Sequence, residues 1–174
     1  MTVSIRPLQP SDDRVSFTCG NDELDRFFRK HAADSQFLLH VGATYVATGG
    51  KLILAFATVA GGSLMADALP DAAARRLPKY PLPVLRLARL GVAIHAQGTG
   101  LGTQMMGYVF RLALEMGGRL GCVGVVVDSK PTSVTFHEGF GFTRLDVVEG
   151  AMRTPKAPTP MFLSIALVKA AMGP

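Results

Sequence analysis

The stretch HAQGTGLGTQMM, residues 95–106, has the composition of an anion-binding loop. Three glycines, Gly98, Gly100 and Gly102, fall within five positions and lead directly into a helix-forming sequence. The first backbone N–H groups of a helix have no partner inside it, and the helix dipole makes that end positive. Because glycine lets a phosphate approach the main chain closely, the loop is predicted to hold a phosphate or pyrophosphate group.

Two common phosphate-binding motifs do not fit this loop. It contains no Lys followed by Ser or Thr, which excludes a P-loop for a nucleoside triphosphate. Gly98-x-Gly100-x-Gly102 also resembles the beginning of a dinucleotide fingerprint, but the further x-x-Gly spacing is missing. In addition, no acidic residue lies about 20 residues further on at the end of a strand. The pattern that remains is Gln97-x-x-Gly100-x-Gly102 at the start of a helix.

The hydrophobic pattern predicts an α/β (α+β) fold, a mixed sheet with helices packed on it. Strands are expected at 3–7, 43–48, 51–60, 84–94, 122–127, 143–148 and 161–168. The Gly49-Gly50 pair indicates a hairpin between the second and third of these strands. The strand over 84–94 ends at the glycine loop, so a strand, the loop, a helix and another strand form one unit in the middle of the chain.

Three helices are predicted beside these strands. The first begins after Asn21, a plausible cap, and its apolar face consists of Leu24, Phe27, Phe28, His31 and Ala32. His31 is accordingly expected in the core rather than in a catalytic role. The second follows the loop and ends at Gly117 or Gly118, with an apolar stripe of Leu101, Met105, Val109, Leu112, Ala113 and Met116. A short third helix is expected over 131–139, and irregular connections over 61–83 and 149–160.

Composition sets further bounds on the function. A chain of 174 residues that is 48% apolar fits one domain, residues 1–174, with a sizeable core. Its beginning lacks a signal-peptide pattern and no apolar run is long enough to cross a bilayer, so a cytoplasmic location and no membrane contact are expected. Two cysteines without paired spacing, Cys19 and Cys122, indicate neither a disulfide framework nor a metal site. The net charge of +5 is compatible with acidic partners or with ordinary solubility.

The loop pattern resembles the Q/R-x-x-G-x-G/A motif of the GCN5-related N-acetyltransferases, the GNAT family, in which it wraps the pyrophosphate of acetyl-CoA. Three other features lie in the family's order. Leu90-Gly91-Val92 precedes the loop, CVGVVV at 122–127 follows it, and FHEGFGF at 136–142 is similar to the F-Y-x-x-x-G-F segment. The resemblance implies the GNAT acyl-CoA N-acyltransferase fold, whose central sheet is mixed and mostly antiparallel with flanking helices, and acetyl-CoA as cofactor.

One branch of the family is especially similar. The segments FTCGNDELDRFFRKHA, RRLPKYPLPV and LARLGVAIHAQGTGLG resemble the acetyltransferase toxins of type II toxin–antitoxin modules, and this resemblance covers about residues 14–168. It implies an enzyme that acetylates the α-amino group of aminoacyl-tRNA and so blocks translation. It also implies a cognate antitoxin, typically a small DNA-binding protein such as a ribbon–helix–helix protein, and a homodimer.

The resemblance assigns roles to particular residues. Backbone N–H groups of Val92 and its neighbours would polarise the acetyl carbonyl, and the loop would hold the pyrophosphate. The cofactor-binding residues implied in this way are Leu90, Gly91, Val92, Gln97, Gly98, Thr99, Gly100, Leu101, Gly102, Thr103 and Phe136. Basic residues beside the expected cleft would contact tRNA phosphates: Arg75, Arg76, Arg86 and Arg89. Arg89 lies among apolar neighbours, so a structural partner is an alternative for it.

The match breaks at the residue after Phe136, where the family has a tyrosine that acts as general acid. Here that residue is His137. One interpretation is that His137 donates to the sulfur of the leaving thiolate, which an imidazole near neutral pH is able to do. The other is that it is a histidine on the helix surface, in an enzyme that lets water protonate the thiolate or in a protein without activity.

Two further functions therefore stay open from the sequence. The chain could be a housekeeping GNAT that acetylates a small amine or a protein N-terminus, although a basic cleft disfavours cationic substrates such as polyamines. It could also be a non-catalytic acyl-CoA-binding regulatory subunit, because His137 replaces the tyrosine.

Overall fold

A computed structural model describes residues 2–69, 74–145 and 157–174. Its strands are β1 Val3–Pro7, β2 Ala43–Gly49, β3 Leu52–Leu64, β4 Leu82–Val92, β5 Gly124–Ser129, β6 Thr143–Arg144 and β7 Thr159–Ser164. They form one sheet in the order β1-β2-β3-β4-β5-β7-β6. The pairs β1–β2, β2–β3, β5–β7 and β6–β7 are antiparallel. The predicted mixed, mostly antiparallel sheet with helices is thereby confirmed.

The three predicted helices are present in the predicted order, and a fourth, α4 (Ile165–Met172), was not predicted. They are α1 Asp22–Arg26, which continues into π-helical segments Phe27–His31 and Asp34–Leu38, then α2 Leu101–Arg119, α3 Val134–Glu138 and α4 Ile165–Met172. Single 3-10 turns occupy Ala66–Ala68, Ile94–Ala96 and Pro131–Ser133. Among the residues that the structure describes, none of the helices combines the length and the apolar character needed to cross a membrane.

The chain divides into two compact units. The first comprises Met1–Ala60 and Leu87–Val109, and the second comprises Gly61–Arg86 and Phe110–Pro174. The glycine loop lies in the first unit and His137 in the second. Each unit has its own cluster of packed apolar side chains, and the predicted site residues are described below unit by unit.

The first unit is packed around phenylalanine rings. Phe28 and Phe56 stack with ring centres 4.4 Å apart, and Phe17 meets both of them edge-on. Gly91 of β4 lies against this cluster, because a Cβ at that position would come within 2.8 Å of the Phe56 ring. The Asn21 side chain accepts a hydrogen bond from the Leu24 N–H, as predicted for the cap of α1.

The expectation that His31 lies in the core is wrong, because its side chain is exposed. The sequence pattern assumes 3.6 residues per turn throughout the helix. Instead the backbone widens after Arg26, and the Ala32 N–H donates to the Phe27 carbonyl in an i+5 bond. The extra residue per turn rotates the following positions, so that Phe27, Phe28 and Ala32 remain buried while His31 faces solvent.

The second unit contains an apolar cluster of Leu69, Val84, Val126 and Phe162. Strand β3 reaches this unit because it extends through Gly61 and Gly62 to Leu64. The prediction of an irregular connection beginning at residue 61 is wrong there. A Cβ at Gly62 would approach the side chain of Val84 within 3.4 Å, which shows how closely β4 packs against this part of β3. Pairing with a neighbouring strand outweighs the low strand preference of glycine.

Two element ends also differ from the prediction. Helix α2 passes through Gly117 and Gly118 to Arg119, and the left-handed residue beyond its end is Gly121, with φ +96. The strand expected over 161–168 stops at Ser164, whose hydroxyl oxygen accepts from the Leu167 N–H and begins α4. Positions 146–148 of the strand expected at 143–148, and 149–156 of the expected loop, lie outside the described residues.

We expect Gly124→Ala to destabilise the second unit. A Cβ at Gly124 would overlap the Leu163 carbonyl oxygen and would lie 2.5 Å from the Phe162 ring. Overpacking of this kind costs about 1–3 kcal/mol, measurable as a lower free energy of unfolding in urea. Gly107→Ala is the matched control, because Gly107 lies within α2 and a Cβ there meets nothing within 4 Å. It should stabilise by about 0.5–1 kcal/mol, and equal effects of the two changes would refute the packing argument.

Candidate functional site

The glycine loop takes a conformation that two of its glycines make possible. Strand β4 ends at Val92, and helix α2 begins at Leu101. Between them Gly98 and Gly100 have φ angles of +77 and +84, the left-handed region that L-residues with a side chain avoid. A Cβ at either position would meet nothing within 4 Å, so the requirement for glycine comes from the backbone angle and not from lack of space.

Helix α2 begins with backbone donors that have no partner inside the helix. Helical hydrogen bonding in α2 begins with the Gln104 N–H donating to the Gly100 carbonyl over 3.1 Å. The N–H groups of residues 101–103 therefore precede the first i to i−4 bond and have no partner inside the helix. The exposed positions in this stretch are Gln97, Gly98, Thr99, Gly100 and Thr103. This arrangement at a helix N-terminus suits an anion such as a pyrophosphate.

Side chains hold the loop from within. The Gln97 Nε2 group donates to the carbonyls of Val92 and Cys19, each over 2.9 Å. It therefore joins the end of β4 to the segment that precedes α1. Thr99 Oγ1 donates to the Ala96 carbonyl over 2.6 Å. The sequence prediction gave Gln97 and Thr99 as cofactor contacts, and the structure adds that both side chains brace the loop.

A buried carboxylate supports the segment to which Gln97 is joined. Asp25, 5% exposed, accepts from the Cys19 N–H over 2.8 Å and from the Thr18 hydroxyl over 2.9 Å. Burial works to raise the pKa of Asp25, but the hydrogen bonds from Cys19 and Thr18, together with nearby Arg29, bring that pKa below its usual value. Burial and the neighbouring Asp25 raise the pKa of the Cys19 thiol to about 11, which disfavours a reactive thiolate.

The other predicted site residues of the first unit belong to strand β4. Gly91 is buried against Phe56, while Leu90 and Val92 are half-buried. The Arg89 guanidinium lies over the Phe27 ring, 3.7 Å from its centre, which is a cation–π contact. The structural partner considered for Arg89 from the sequence is therefore present, and it is an aromatic ring.

The second unit holds His137 in a buried position. Its side chain is 5% exposed, so the interpretation of a histidine on the helix surface is wrong. Its Nδ1 is hydrogen-bonded to Ser129 Oγ at 2.7 Å, and its Nε2 is buried without a hydrogen-bond partner in the described residues. Burial lowers the pKa of His137, and a hydrogen bond to the Ser133 backbone carbonyl opposes that shift. The imidazole is therefore neutral at pH 7.

The remaining predicted residues of this unit lie in different settings. Phe136 packs against Phe140 with ring centres 5.0 Å apart. Arg86 forms an ion pair with Asp128 over 3.1 Å. Arg75 and Arg76 are exposed. Two of the four predicted tRNA-binding arginines, Arg86 and Arg89, thus have partners within their own unit.

Curated relatives match the chain in sequence, although no family model matches it. A tRNA-acetylating toxin of Mycobacterium tuberculosis (strain ATCC 25618 / H37Rv) is 32% identical over 101 residues, which are 58% of this chain. The matched part spans 60% of that relative's own length. A probable toxin TacT of Sinorhizobium fredii (strain NBRC 101917 / NGR234) is 26% identical over 181 residues, covering 97% of this chain and 94% of that protein.

Solved structures extend the likeness to the whole fold. A tyrosine-to-phenylalanine mutant of KacT superposes with a TM-score of 0.85 at 21% identity, over 97% of this chain and 98% of that one. AtaT complexed with acetyl-methionyl-tRNAfMet gives 0.83 at 22% identity, over 95% and 96%. A mutant AtaT toxin bound to acetyl-CoA and the C-terminus of the antitoxin AtaR gives 0.75 at 19%, over 97% and 96%. The chain has the GNAT fold.

Within the GNAT fold, the predicted cofactor loop lies between β4 and α2 as expected, and the predicted resemblance to the toxin branch is confirmed by the relatives. Sequence reasoning missed Ser129, the partner of His137, and Asp25, which supports Cys19. A serine at the end of an apolar run is the only sequence signal for Ser129. Asp25 lies within the segment FTCGNDELDRFFRKHA that resembles the toxin branch, and its burial appears only in three dimensions.

The stability of this GNAT-fold chain should depend on pH through His137. Because the folded-state pKa is lowered from 6.5, the unfolded chain takes up a proton as the pH falls below 6.5 and the folded chain does not. Stability is therefore lost as the pH falls from about 6.5 toward the lowered value. Urea unfolding above and below this window should show a smaller loss for His137→Gln than for the wild type.

The exposed His95 provides the matched control for this measurement. His95→Gln should lose stability over the same window as the wild type does. An equal loss in the wild type and both variants would contradict the assignment to His137.

Proposed function

We propose that the chain is an acetyl-CoA-dependent N-acetyltransferase that acetylates the α-amino group of aminoacyl-tRNA and so blocks translation. The observation that carries this proposal is the GNAT loop itself, with left-handed Gly98 and Gly100 and with N–H groups at residues 101–103 that have no partner inside α2. The specific substrate is supported by the relative named as a tRNA-acetylating toxin and by the fold shared with AtaT in complex with acetyl-methionyl-tRNAfMet.

The residues of the loop fit a cofactor with a pyrophosphate. Backbone N–H groups over 98–103 supply donors and the helix dipole supplies positive potential, without a side chain that would crowd the phosphates. Leu90, Gly91 and Val92 of β4, which lie in the same unit as the loop, belong to the proposed cofactor site. Acetyl-CoA, which is bound in a structure of a mutant AtaT, supplies the acetyl group as a reactive thioester.

The chemistry asked of the protein is modest. The α-amino group of an ester-linked amino acid is less basic than a lysine side chain, so it needs little help to lose its proton. Backbone N–H groups of Val92 and its neighbours polarise the acetyl carbonyl in this proposal. In this proposal His137 serves the leaving thiolate in place of the usual tyrosine, since an imidazole N–H is chemically able to donate to sulfur.

The exposed basic residues give tRNA a place to bind. Arg75 and Arg76 are exposed, while Arg86 and Arg89 carry partners that a phosphate would have to share or displace. We therefore expect the first pair to contribute more to tRNA affinity than the second. Such contacts position the substrate and carry little base information.

The same proposal includes the cellular setting of the protein. The chain acts in the cytoplasm as a single GNAT domain and forms a homodimer. It is inhibited by a cognate antitoxin, for which the AtaT structure with the C-terminus of AtaR is a precedent. A ribbon–helix–helix protein is the antitoxin class we expect.

We expect labelled acetyl to pass from acetyl-CoA to a charged tRNA pool and not to the uncharged pool. Gly100→Ala should raise the KM for acetyl-CoA about 5- to 30-fold, because a left-handed alanine costs roughly 1–2 kcal/mol. Gly118→Ala is the matched control, since that glycine also has open space for a Cβ but has no positive φ.

The outcomes of this assay separate the open functions. If label appears on small amines or peptide N-termini and not on charged tRNA, the proposed substrate is wrong but acetyl transfer from acetyl-CoA is retained as the reaction. Acetyl-CoA binding without transfer to any amine would indicate a non-catalytic acyl-CoA-binding subunit. Equal KM values for the two glycine variants would overturn the assignment of the loop.

A double variant, Arg75→Ala with Arg76→Ala, should weaken binding of charged tRNA about equally for all tRNA species. Loss of two phosphate contacts should also reduce the slope of log affinity against log salt by roughly 1–2. Filter binding over a salt series measures both quantities. Arg119→Ala is the control, an exposed arginine at the end of α2. An unchanged slope in the double variant would remove these arginines from the tRNA site.

A further inference from the structure

A bridging segment, residues 17–19, is hydrogen-bonded to the turn that follows strand β4. The Thr18 carbonyl accepts from the Ile94 N–H over 3.0 Å. The Cys19 carbonyl accepts from Gln97 Nε2 over 2.9 Å. Both contacts are made by residues that lie between the end of β4 and the left-handed glycines. The bridging segment therefore helps to determine where the glycine loop begins.

The first helix holds the same segment from its other side. Asp25 of α1 is 5% exposed, and its two carboxylate oxygens have different partners. One accepts from the Cys19 N–H over 2.8 Å and the other from the Thr18 hydroxyl over 2.9 Å. Further along the helix, Arg29 Nε donates to the Phe17 carbonyl over 2.7 Å. A continuous series of hydrogen bonds thus runs from the first helix through the bridging segment to the turn.

The turn passes this support on to the glycine loop. The Ala93 N–H donates to the Leu54 carbonyl over 2.8 Å, and the Gln97 N–H donates to the Ile94 carbonyl over 3.3 Å. Gln97 is followed directly by Gly98, the first left-handed residue of the loop. Because a hydrogen bond to a phosphate tolerates only a few tenths of an ångström, a shift of this turn would misplace the backbone donors of the loop.

We infer that Asp25 is a positioning residue for the acetyl-CoA site, which fixes the bridging segment and so keeps the glycine loop in the geometry that receives the pyrophosphate. Its carboxylate binds the bridging segment and acts on the loop through that segment. Donors that are already in place reduce the ordering cost of binding. The inference rests on the proposed function for the identity of the ligand, but the effect of Asp25 on the loop is measurable without any ligand.

Asp25→Asn keeps the size of the side chain and removes its charge. An amide has one oxygen where the carboxylate has two, so its NH2 group must face either the Cys19 N–H or the Thr18 hydroxyl. In both orientations the charge-assisted hydrogen bonds are lost. We expect amide hydrogen exchange over residues 93–103 to be about 3- to 30-fold faster than in the wild type, measured by mass spectrometry on the protein without ligand.

Asp12→Asn is the matched control. Asp12 belongs to the same unit, has a side chain that is 11% exposed, accepts from the Gln9 N–H over 2.8 Å and pairs with Arg6. Its loss should lower stability without changing exchange over residues 93–103. Exchange in Asp25→Asn equal to that in the wild type would overturn the inference. Equal acceleration in both variants would also overturn it, because that result indicates general destabilisation.

Titration calorimetry with CoA connects the order of the loop to cofactor affinity. The Kd should rise about 3- to 30-fold in Asp25→Asn and stay within about twofold in Asp12→Asn. In acetyl transfer, the KM for acetyl-CoA should rise in Asp25→Asn while kcat stays within about twofold. A lower kcat with an unchanged KM would contradict the positioning role. Failure of the proposed function differs from these results, since it appears as a wild-type protein that neither binds CoA nor transfers acetyl.

Two further variants test the route of the effect. Thr18→Val removes the hydroxyl that donates to Asp25 from an exposed residue and keeps the carbonyl that Ile94 uses, so it should change the Kd in the same direction by a smaller factor. Combining Asp25→Asn with Gln97→Ala should raise the Kd at least about twofold less than the product of the two single effects. Effects that multiply in full would refute a route through the bridging segment.

Discussion

The left-handed backbone at Gly98 and Gly100 is the constraint on which the proposed site depends. Without it the chain would not turn from the end of β4 into α2, whose first N–H groups have no partner inside the helix. A left-handed conformation costs an ordinary residue roughly 1–2 kcal/mol, and two such positions close together would be a substantial part of the stability of a small domain. Glycine at both positions therefore meets the need of the loop for a left-handed backbone, and anion binding at the helix N-terminus explains why the loop has this conformation.

The surroundings of the loop are built to hold this turn rigidly. Gln97 uses both hydrogens of its amide on carbonyls of two separate segments, and the segment at Cys19 is itself bound to the buried carboxylate of Asp25. Gly91 allows the Phe56 ring to lie directly against β4. A cofactor that binds through backbone donors needs those donors in place before it arrives, because ordering a mobile loop on binding would cost affinity.

Local chemistry determined what the sequence could predict. Three predicted features depend on local backbone angles and hydrophobic spacing, which residues close in sequence determine. They are the glycine loop, the helix after it and the Gly49–Gly50 hairpin, and all three are present. The errors arise where distant residues decide. His31 is exposed because the first helix widens to π geometry, and β3 continues through Gly61 and Gly62 because β4 packs against it. Ser164 had a local signal, a cap followed by helix formers, but the apolar run around it also fits a strand.

His137 shows the same division most clearly. The sequence identified the position, because the segment around it resembles a family motif with a tyrosine there. The sequence left two interpretations open, because residue type alone does not determine whether a side chain is buried. The structure excludes the exposed one, because His137 is 5% exposed and its Nδ1 lies 2.7 Å from Oγ of Ser129, a strand residue eight positions earlier. A tyrosine hydroxyl has one hydrogen to give, whereas an imidazole has a second nitrogen whose partner decides what the first can do. A histidine in place of the tyrosine therefore has its two nitrogens in different surroundings, since Nδ1 is hydrogen-bonded to Ser129 and Nε2 has no hydrogen-bond partner among the described residues.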